Sequence, residues 1–304
     1  MIQARSHREQ DVYHVVVRVI TDLVAAYRAD PRASARVLLT TIFGDSLVPR
    51  GQEAPVQALA ALMAPTGANE RLVRTSLQRL ATDGVVTAER RGRQSFYRVA
   101  PDAVGTFADA DARIYAGRRV EWDGEWTVAV IDPDAADRDR IRTELRWLGL
   151  GAVSPGVHVS PTVDVATVEA ALVRHDSPLV LLTRGASAPG VTSGDAALLA
   201  AVDPLAEVDD ALRIHLDRFE PLVGIGDVDP VDAFVVRSLL IDSWRRIVLR
   251  TPDVPAELVP TTWPGHRALS LTSTVYRAVA SASEAHLDAH LGPADVDHSH
   301  RFAA

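Results

Sequence analysis

Arginine, glutamine and threonine side chains recur along one predicted helix, which begins near Asn69 and ends at Gly84. Arginine can donate two hydrogen bonds to a guanine edge, glutamine can pair with adenine, and threonine can bond a base or a phosphate. The spacing therefore predicts a face that reads bases in a DNA major groove, with Arg74 and Arg79 nearest to the bases. The expected contacts are made by Arg71, Arg74, Thr75, Gln78 and Arg79. The opposite, apolar face is predicted to pack inward through Leu72, Val73, Leu77 and Leu80.

A short basic hairpin is predicted directly after this helix. Residues 85–87 and 95–99 have strand composition, and Arg91-Gly92-Arg93 forms the turn between them. A helix followed by such a hairpin is typical of a winged helix-turn-helix, whose wing lies on phosphate or in the minor groove. The expected wing contacts are Arg90, Arg91 and Arg93.

The charge of this segment contrasts with that of the whole chain. Residues 69–99 hold seven arginines and three acidic residues, a local charge of +4, whereas the chain carries −8. A focused basic face on an acidic protein favours nucleic-acid binding. The alternative is a solvated helix with an ordinary hairpin, in which some arginines only pair with Glu70, Asp83 or Glu89.

A second set of residues could perform acyl transfer. Gly44-Asp45-Ser46-Leu47 matches the nucleophile block of the SGNH esterases, residues 67–70 are close to their oxyanion block, and Asp295 and His298 fit their DxxH pattern. The segment before Ser46 has helical rather than strand spacing, and the interval to Asn69 is too short for that fold. A Ser46-dependent hydrolase is therefore the minor alternative.

A metal site is not predicted. His286 and His290 are four residues apart on a predicted helix, which can suit a metal, but HLDAH lacks the glutamate of the HExxH motif. We expect a solvated helix end there, and we expect no catalytic residue, no metal and no cofactor.

Composition excludes several other classes of protein. The chain has no cysteine, and all 32 of its Lys+Arg residues are arginine, so disulfides, thiolate sites, Schiff bases and a P-loop lysine are absent. No apolar run approaches the roughly 18 residues that a membrane span needs. The polar N-terminal residues do not suit a secretory signal, and we expect a cytoplasmic protein that does not enter a membrane.

The order of predicted elements gives an α+β fold in several parts. An N-terminal helix precedes three helices and the hairpin, residues 126–183 alternate between strand and helix as in a ferredoxin-like domain, and only helices follow residue 207. The predicted parts are an extension helix (1–32), the winged helix-turn-helix (33–116), the ferredoxin-like domain (117–205), a helical effector or dimerisation domain (206–292) and a disordered tail (293–304).

These segments, in this order, resemble the PaaX family, the repressors of bacterial phenylacetate catabolism. SARVLLTTIFGDSLVPRG (34–51) resembles the opening helix and loop of the family, and residues 69–84 with ERRGRQSFYRV (89–99) resemble its recognition helix and wing. EWDGEWTVAVID and LRWLGLGAVSPGVHVSP resemble the central domain, and DSWRRIVLRTPDVPAELVPTTWPGHRA resembles the C-terminal signature. The resemblance covers roughly residues 33–291, and the N-terminal helix departs from it.

The resemblance implies a homodimeric repressor on a palindromic operator, with a central domain similar to a CRISPR adaptation nuclease. In those nucleases a carboxylate at the position of Asp132 holds a metal, but a strand-end aspartate before proline is also an ordinary turn residue. The implied effector is phenylacetyl-CoA or another aromatic or acyl-CoA compound. Arginine suits its phosphates and an apolar pocket suits its acyl end. The candidate effector residues are Trp244, Arg245, Arg246, Trp263, His266 and Tyr276. For any single one of them, the favoured interpretation is a buried core tryptophan or a solvated charge, since large aromatic side chains are usually buried.

Overall fold

A computed structural model of the chain describes residues 7–116, 121–173, 178–187, 194–202, 205–251, 254–299 and 301–302. The contacts divide the chain into two compact units. The first combines Met1–Gly117, Ala211–Leu249 and Pro264–Ala304, and the second combines Arg118–Asp210 and Arg250–Trp263.

The regular elements give an α+β fold. In chain order they are α1 (His7–Ala29), α2 (Ala35–Ile42), β1 (Ala54–Pro55), α3 (Val56–Met63), α4 (Glu70–Thr82), β2 (Val86–Arg91), β3 (Gln94–Val99), α5 (Val104–Asp111), β4 (Glu125–Ile131), α6 (Arg138–Leu148), β5 (Gly151–Ser154), β6 (Val157–Ser160), α7 (Val165–Leu172), β7 (Leu179–Ala186), α8 (Gly194–Val202), α9 (Ala206–Phe219), α10 (Pro230–Val248) and α11 (Pro264–Leu291). Wider π-helical turns extend α2 over Phe43–Leu47 and α5 over Ala112–Ala116. None of the described helices has the length and apolarity needed to cross a membrane.

Helices α2, α3 and α4 with strands β1–β3 form the winged helix-turn-helix. Ser34 and Asn69 cap α2 and α4, because their side chains accept hydrogen bonds from the backbone amides of Val37 and Leu72. The strand order is β1-β3-β2, and β2 pairs antiparallel with β3 from Val86↔Val99 to Arg91↔Gln94. Gly92, with a φ of 62°, occupies the turn at the tip of this wing.

Helices α10 and α11 pack against each other and against the winged helix-turn-helix. Helix α10 contacts α2, and α11 contacts α3. Residues from Ala233 to Trp244 on α10 are buried without interruption, so this helix is enclosed on every side. The first unit is therefore one structure with a shared core, which differs from the predicted separation of residues 33–116 from residues 206–292.

The second unit has the predicted ferredoxin-like topology. Its elements follow the order β4-α6-β5-β6-α7-β7, and the sheet order is β5-β6-β4-β7 with antiparallel neighbours. Helices α6 and α7 cover one face through Ile141, Leu145, Val168 and Leu172. The opposite face carries Trp126, whose indole Nε1 donates a 2.8 Å hydrogen bond to Asp195.

Pro155 and Gly156 make the turn between β5 and β6, and helix α8 begins at Gly194. One local prediction was wrong. Leu72 was expected to face inward, but 47% of its surface is exposed.

Candidate nucleic-acid interface

Helix α4 separates buried apolar residues from exposed polar ones. Its buried residues are Val73, Ser76, Leu77 and Leu80, and they face α2 and α3. The five side chains predicted to read bases are all exposed. They lie on one face because their spacing matches the helical period of 3.6 residues. They are Arg71, Arg74, Thr75, Gln78 and Arg79. The structure thus brings this predicted group together on one face of one helix.

These side chains differ in whether their hydrogen-bonding groups already have partners within the protein. Arg74 donates hydrogen bonds of 2.9 and 2.6 Å to Glu70, one turn earlier. The Thr75 hydroxyl donates to the carbonyl of Arg71 at 2.9 Å. Within the described part of the chain, the guanidinium groups of Arg71 and Arg79 have no hydrogen-bond or ion-pair partner. An exposed ion pair such as Arg74–Glu70 is worth about 0–1 kcal/mol, so DNA could displace it at little cost.

The wing arginines fall into two groups. Arg91 is paired with Glu53 and Glu89, and its guanidinium lies 4.9 Å from the centre of the Phe96 ring. The hydrogen bonds that Arg91 donates to Glu89 and Glu53 raise the pKa of Arg91, and the contact with Arg91 lowers the pKa of Glu89. Arg91 thus stabilises the wing itself. Arg90 and Arg93 are exposed, and only Arg90 makes a protein hydrogen bond among the described residues, to the carbonyl of Gly92 at 3.3 Å.

The structure does not gather the candidate effector residues into one site. The indole Nε1 of Trp244 donates to the carbonyl of Ile114 at 3.0 Å, and its ring lies against His215. Arg246 pairs with Asp242 at 3.2 Å. His266 is exposed near the start of α11, and Trp263 belongs to the other unit. Tyr276 contacts Asp45, whereas Arg245 donates a hydrogen bond to Thr41 on α2.

A buried carboxylate, Asp45, organises the first unit, and sequence reasoning missed its role. Asp45 is 3% exposed and accepts hydrogen bonds of 2.7 Å from Arg237 on α10 and 2.8 Å from Arg301. The hydroxyl groups of Tyr115 and Tyr276 also donate to its Oδ1 atom. Burial alone would raise the pKa of Asp45, but Arg237 and Arg301 outweigh burial and lower it. Asp45 is therefore an ionised carboxylate held by two cations.

The C-terminal tail is ordered where the structure describes it, so the prediction of a disordered tail was wrong. Arg301 is 2% exposed, and its guanidinium lies 4.1 Å from the centre of the Tyr115 ring. The backbone amide of Phe302 donates to the carbonyl of Tyr115 at 2.9 Å, and the Phe302 ring is buried against Tyr115 and Tyr276. The polar composition of the tail predicts mobile residues. The buried charge of Arg301 and the buried ring of Phe302 instead fix this part of the chain in place.

A second ring of charges surrounds this cluster. Glu284 on α11 pairs with Arg50, Arg237 and His298, and Arg50 also donates to Asp288 at 2.8 Å. Burial would raise the pKa of Glu284, but hydrogen bonding to His298 and the charge of Arg237 lower it. These pairs connect the loop after α2 to both C-terminal helices.

The same contacts leave no support for the hydrolase alternative. Ser46 is 2% exposed on a helical turn, and its hydroxyl donates to Asp45 at 3.2 Å. His298, which the esterase pattern would require as a base, is hydrogen-bonded to Glu284 at 2.8 Å. A general base must reach its nucleophile, and no described histidine is hydrogen-bonded to Ser46.

Two remaining candidates have ordinary structural roles. Asp132 accepts a hydrogen bond from the amide of Asp134 at 2.8 Å, which is the geometry of a turn after β4. The rings of His286 and His290 lie 4.5 Å apart, and His290 Nδ1 bonds the carbonyl of His286. Over the described residues, no group of three or more metal-ligating side chains is found.

The fold and the exposed arginine face define a winged helix-turn-helix protein, a class in which such a helix enters the major groove. Comparisons with known proteins agree with this class. Family models described as PaaX-like protein, PaaX protein central Cas2-like domain and PaaX-like protein C-terminal domain match residues 34–103, 119–194 and 204–289.

The chain belongs to the PaaX family of transcriptional repressors. It is 34% identical over 261 residues to the transcriptional repressor PaaX of Escherichia coli (strain K12), covering 82% of each chain. A solved structure of an uncharacterised protein, Rv0674, from Mycobacterium tuberculosis has a similar fold. That similarity has a TM-score of 0.54 at 21% identity and covers 84% of this chain and 99% of the other.

Proposed function

We propose that this protein is a cytoplasmic, homodimeric repressor that binds a palindromic operator and is released by an aromatic acyl-CoA effector. The observation that carries the proposal is the exposed face of α4, where three arginines, Gln78 and Thr75 point away from the core. Membership of a transcriptional repressor family supports it. The protein acts by binding, and we assign it no catalytic residue.

The proposed mechanism requires two copies of α4 in successive major grooves. Two half-sites then lie about 34–36 Å apart, or a multiple of that distance. Arg71, Arg74, Gln78 and Arg79 read base edges, while Arg90 and Arg93 contact phosphate and hold the register. Arg91 supports the wing and is the weakest of the proposed contacts, because Glu53 and Glu89 already neutralise it.

Release requires that the effector prefer a dimer geometry that does not fit the operator. The shift in population cannot exceed the difference in the effector's affinity for the two geometries. An aromatic acyl-CoA offers phosphates for arginine and an apolar acyl group for a pocket, so its two ends can bind chemically different surfaces.

The test is an electrophoretic mobility shift with DNA from upstream of the protein's own gene, with and without phenylacetyl-CoA. We expect a shift that the thioester abolishes, and a weaker shift with the Arg79→Ala variant. Arg140→Ala is the matched control, because Arg140 is an exposed arginine on α6 and its removal changes the charge equally. Equal loss with both variants would contradict a specific role for α4. Binding that persists with phenylacetyl-CoA would contradict this effector.

A further inference from the structure

A cavity of about 170 Å³ lies inside the first unit, beside the Asp45 cluster. Its walls come from α2 with the turn that follows it, from α5 with its extension, and from α10. Phe107, Ala110, Ile114 and Ile241 are among the lining residues, and apolar atoms make up most of the surface. None of the proposed DNA contacts lines this space.

The size of the cavity limits what can enter it. An apolar cavity of about 150 Å³ is enough to bind benzene, whereas pockets for whole drug-sized ligands measure about 300–1,000 Å³. The space therefore suits a single six-membered ring or a short branched chain, and it is too small for a nucleotide. Because most of its surface is apolar, water gains few hydrogen bonds over that part and is readily displaced from it.

Arg245 places a cation at one edge of the cavity, which the carboxylates Asp45 and Asp111 also line. Arg245 donates hydrogen bonds to the Thr41 hydroxyl at 2.6 Å and to the Val37 carbonyl at 2.8 Å, and it pairs with Asp242 at 3.4 Å. Burial lowers the pKa of Arg245, although Asp242 opposes this. A carboxylate or thioester oxygen beside this guanidinium would improve its solvation.

The position of the cavity connects it to the DNA-binding face. Helix α2 forms one wall and also packs against α4, and Arg36 on α2 pairs with Asp83 at the end of α4 at 2.6 Å. Helix α10 forms another wall. A ligand that moves α2 relative to α10 would thus displace the helix on which α4 rests, without touching DNA itself.

We propose that this cavity receives the ring-sized apolar end of the effector, with the polar end of the ligand at Arg245, and that occupancy repositions α2 and α4. This inference rests on the proposed function, because it places the effector of that repressor. The proposed ligand site is a cavity whose walls come from both the winged helix-turn-helix and α10. Of the effector residues predicted from the sequence, only Arg245 lines this cavity.

The test measures ligand binding to the full-length protein by calorimetry, with phenylacetyl-CoA, phenylacetate and acetyl-CoA as probes. Ala110→Phe fills the cavity from its wall, and Thr106→Phe closes it from the exposed rim with less demand on the core. Ala108→Phe is the matched control, because Ala108 is exposed on the same helix and does not line the cavity. The affinity for DNA without ligand is measured for each variant.

We expect the two probes that carry a phenyl ring, phenylacetyl-CoA and phenylacetate, to bind the wild type, and to bind Ala110→Phe and Thr106→Phe about tenfold more weakly or worse. Acetyl-CoA should bind weakly to all of them, and Ala108→Phe should behave as the wild type. DNA binding without ligand should be unchanged in Ala108→Phe, whose new side chain does not enter the cavity. The inference would be overturned if Ala110→Phe and Thr106→Phe both bound phenylacetyl-CoA and phenylacetate as tightly as the wild type does, or if the wild type bound neither of them. Either result would leave the DNA-binding proposal to its own operator test.

Discussion

At the scale of single residues, arginine has three different tasks in the first unit. Arg71, Arg79 and Arg93 are exposed, Arg91 is neutralised by two glutamates, and Arg237 is enclosed around a buried carboxylate. The same residue type is thus exposed to a ligand, stabilises the wing or stabilises the core, according to the acids that surround it. Sequence composition gives the number of arginines, but only the fold assigns their partners.

Arg74 and Arg93 should differ in how their loss affects DNA binding. Arg74→Ala is expected to weaken operator binding by about 1–3 kcal/mol and random DNA far less, because a base contact is specific. Arg93→Ala should weaken binding to operator and to random DNA alike. It should also reduce the number of counterions released on binding by about one, because each phosphate contact releases counterions. Competition binding at several salt concentrations measures both. Equal losses on operator and random DNA for Arg74→Ala would refute the base-reading role.

Asp45 should matter far more for stability than its neighbour Ser46. Asp45→Asn leaves Arg237 and Arg301 buried with one carboxylate fewer, and removing one partner of a buried ion pair costs about 3–5 kcal/mol. Ser46→Ala removes one hydrogen bond and should cost about 1 kcal/mol. Urea unfolding of both variants measures the difference. Similar midpoints for the two would show that the buried charges are not coupled as described.

At the scale of elements, the ordered tail behaves as part of the core. Phe302→Ala should lower the free energy of unfolding by up to about 3 kcal/mol, because it removes a buried ring from its contacts with Tyr115 and Tyr276. The control is Asp295→Ala, an exposed position in the same tail. Denaturant unfolding and hydrogen exchange at the tail amides measure the effect. A tail that exchanges freely in the wild type would contradict it.

The elements that could be predicted from sequence are those with a strong local signal. Helix α4 has a cap at Asn69, apolar spacing and Gly84 after its end, and the wing has alternating strands around Gly92. The buried role of Asp45 could not be predicted, because its partners Arg237 and Arg301 are 192 and 256 residues away. For the same reason, the tail has the composition of a mobile segment although long-range contacts hold His298, Arg301 and Phe302. The positions of the exposed arginines followed from helical periodicity alone.

At the scale of the whole molecule, the buried His215 should make the fold less stable as the pH falls below 6.5. His215 is buried, bonded to Ser243 and Thr272 at 2.9 Å each, and burial lowers its pKa from 6.5 to about 3. The unfolded chain therefore binds a proton below pH 6.5 that the folded chain does not. The contribution of neutral His215 to the free energy of unfolding is fully present above pH 6.5. It decreases by about 1.4 kcal/mol per pH unit as the pH falls from 6.5 towards 3.

The measurement is the free energy of unfolding between pH 7 and 4.5, for the wild type and for His215→Gln. The lowered pKa values of Asp45 and Glu284 keep those carboxylates charged across this window. The variant should show a shallower dependence on pH. Some slope should remain, because burial also lowers the pKa values of His158 and His286. An identical slope in the two proteins would show that His215 is protonated in the folded state.

The contact between Asp45 and Arg301 also sets an order of events during synthesis. The two residues are separated by 256 positions, and translation adds about 5–20 residues per second, so Asp45 leaves the ribosome roughly 10–50 seconds before its partner exists. Arg237 arrives earlier but still long after α2. During that interval the nascent winged helix carries an exposed carboxylate and unpacked helices where its finished core will be. The winged helix-turn-helix is thus among the first parts to be made and the last to be completed, because its buried contacts with α10 and the tail form only when nearly the whole chain has been translated.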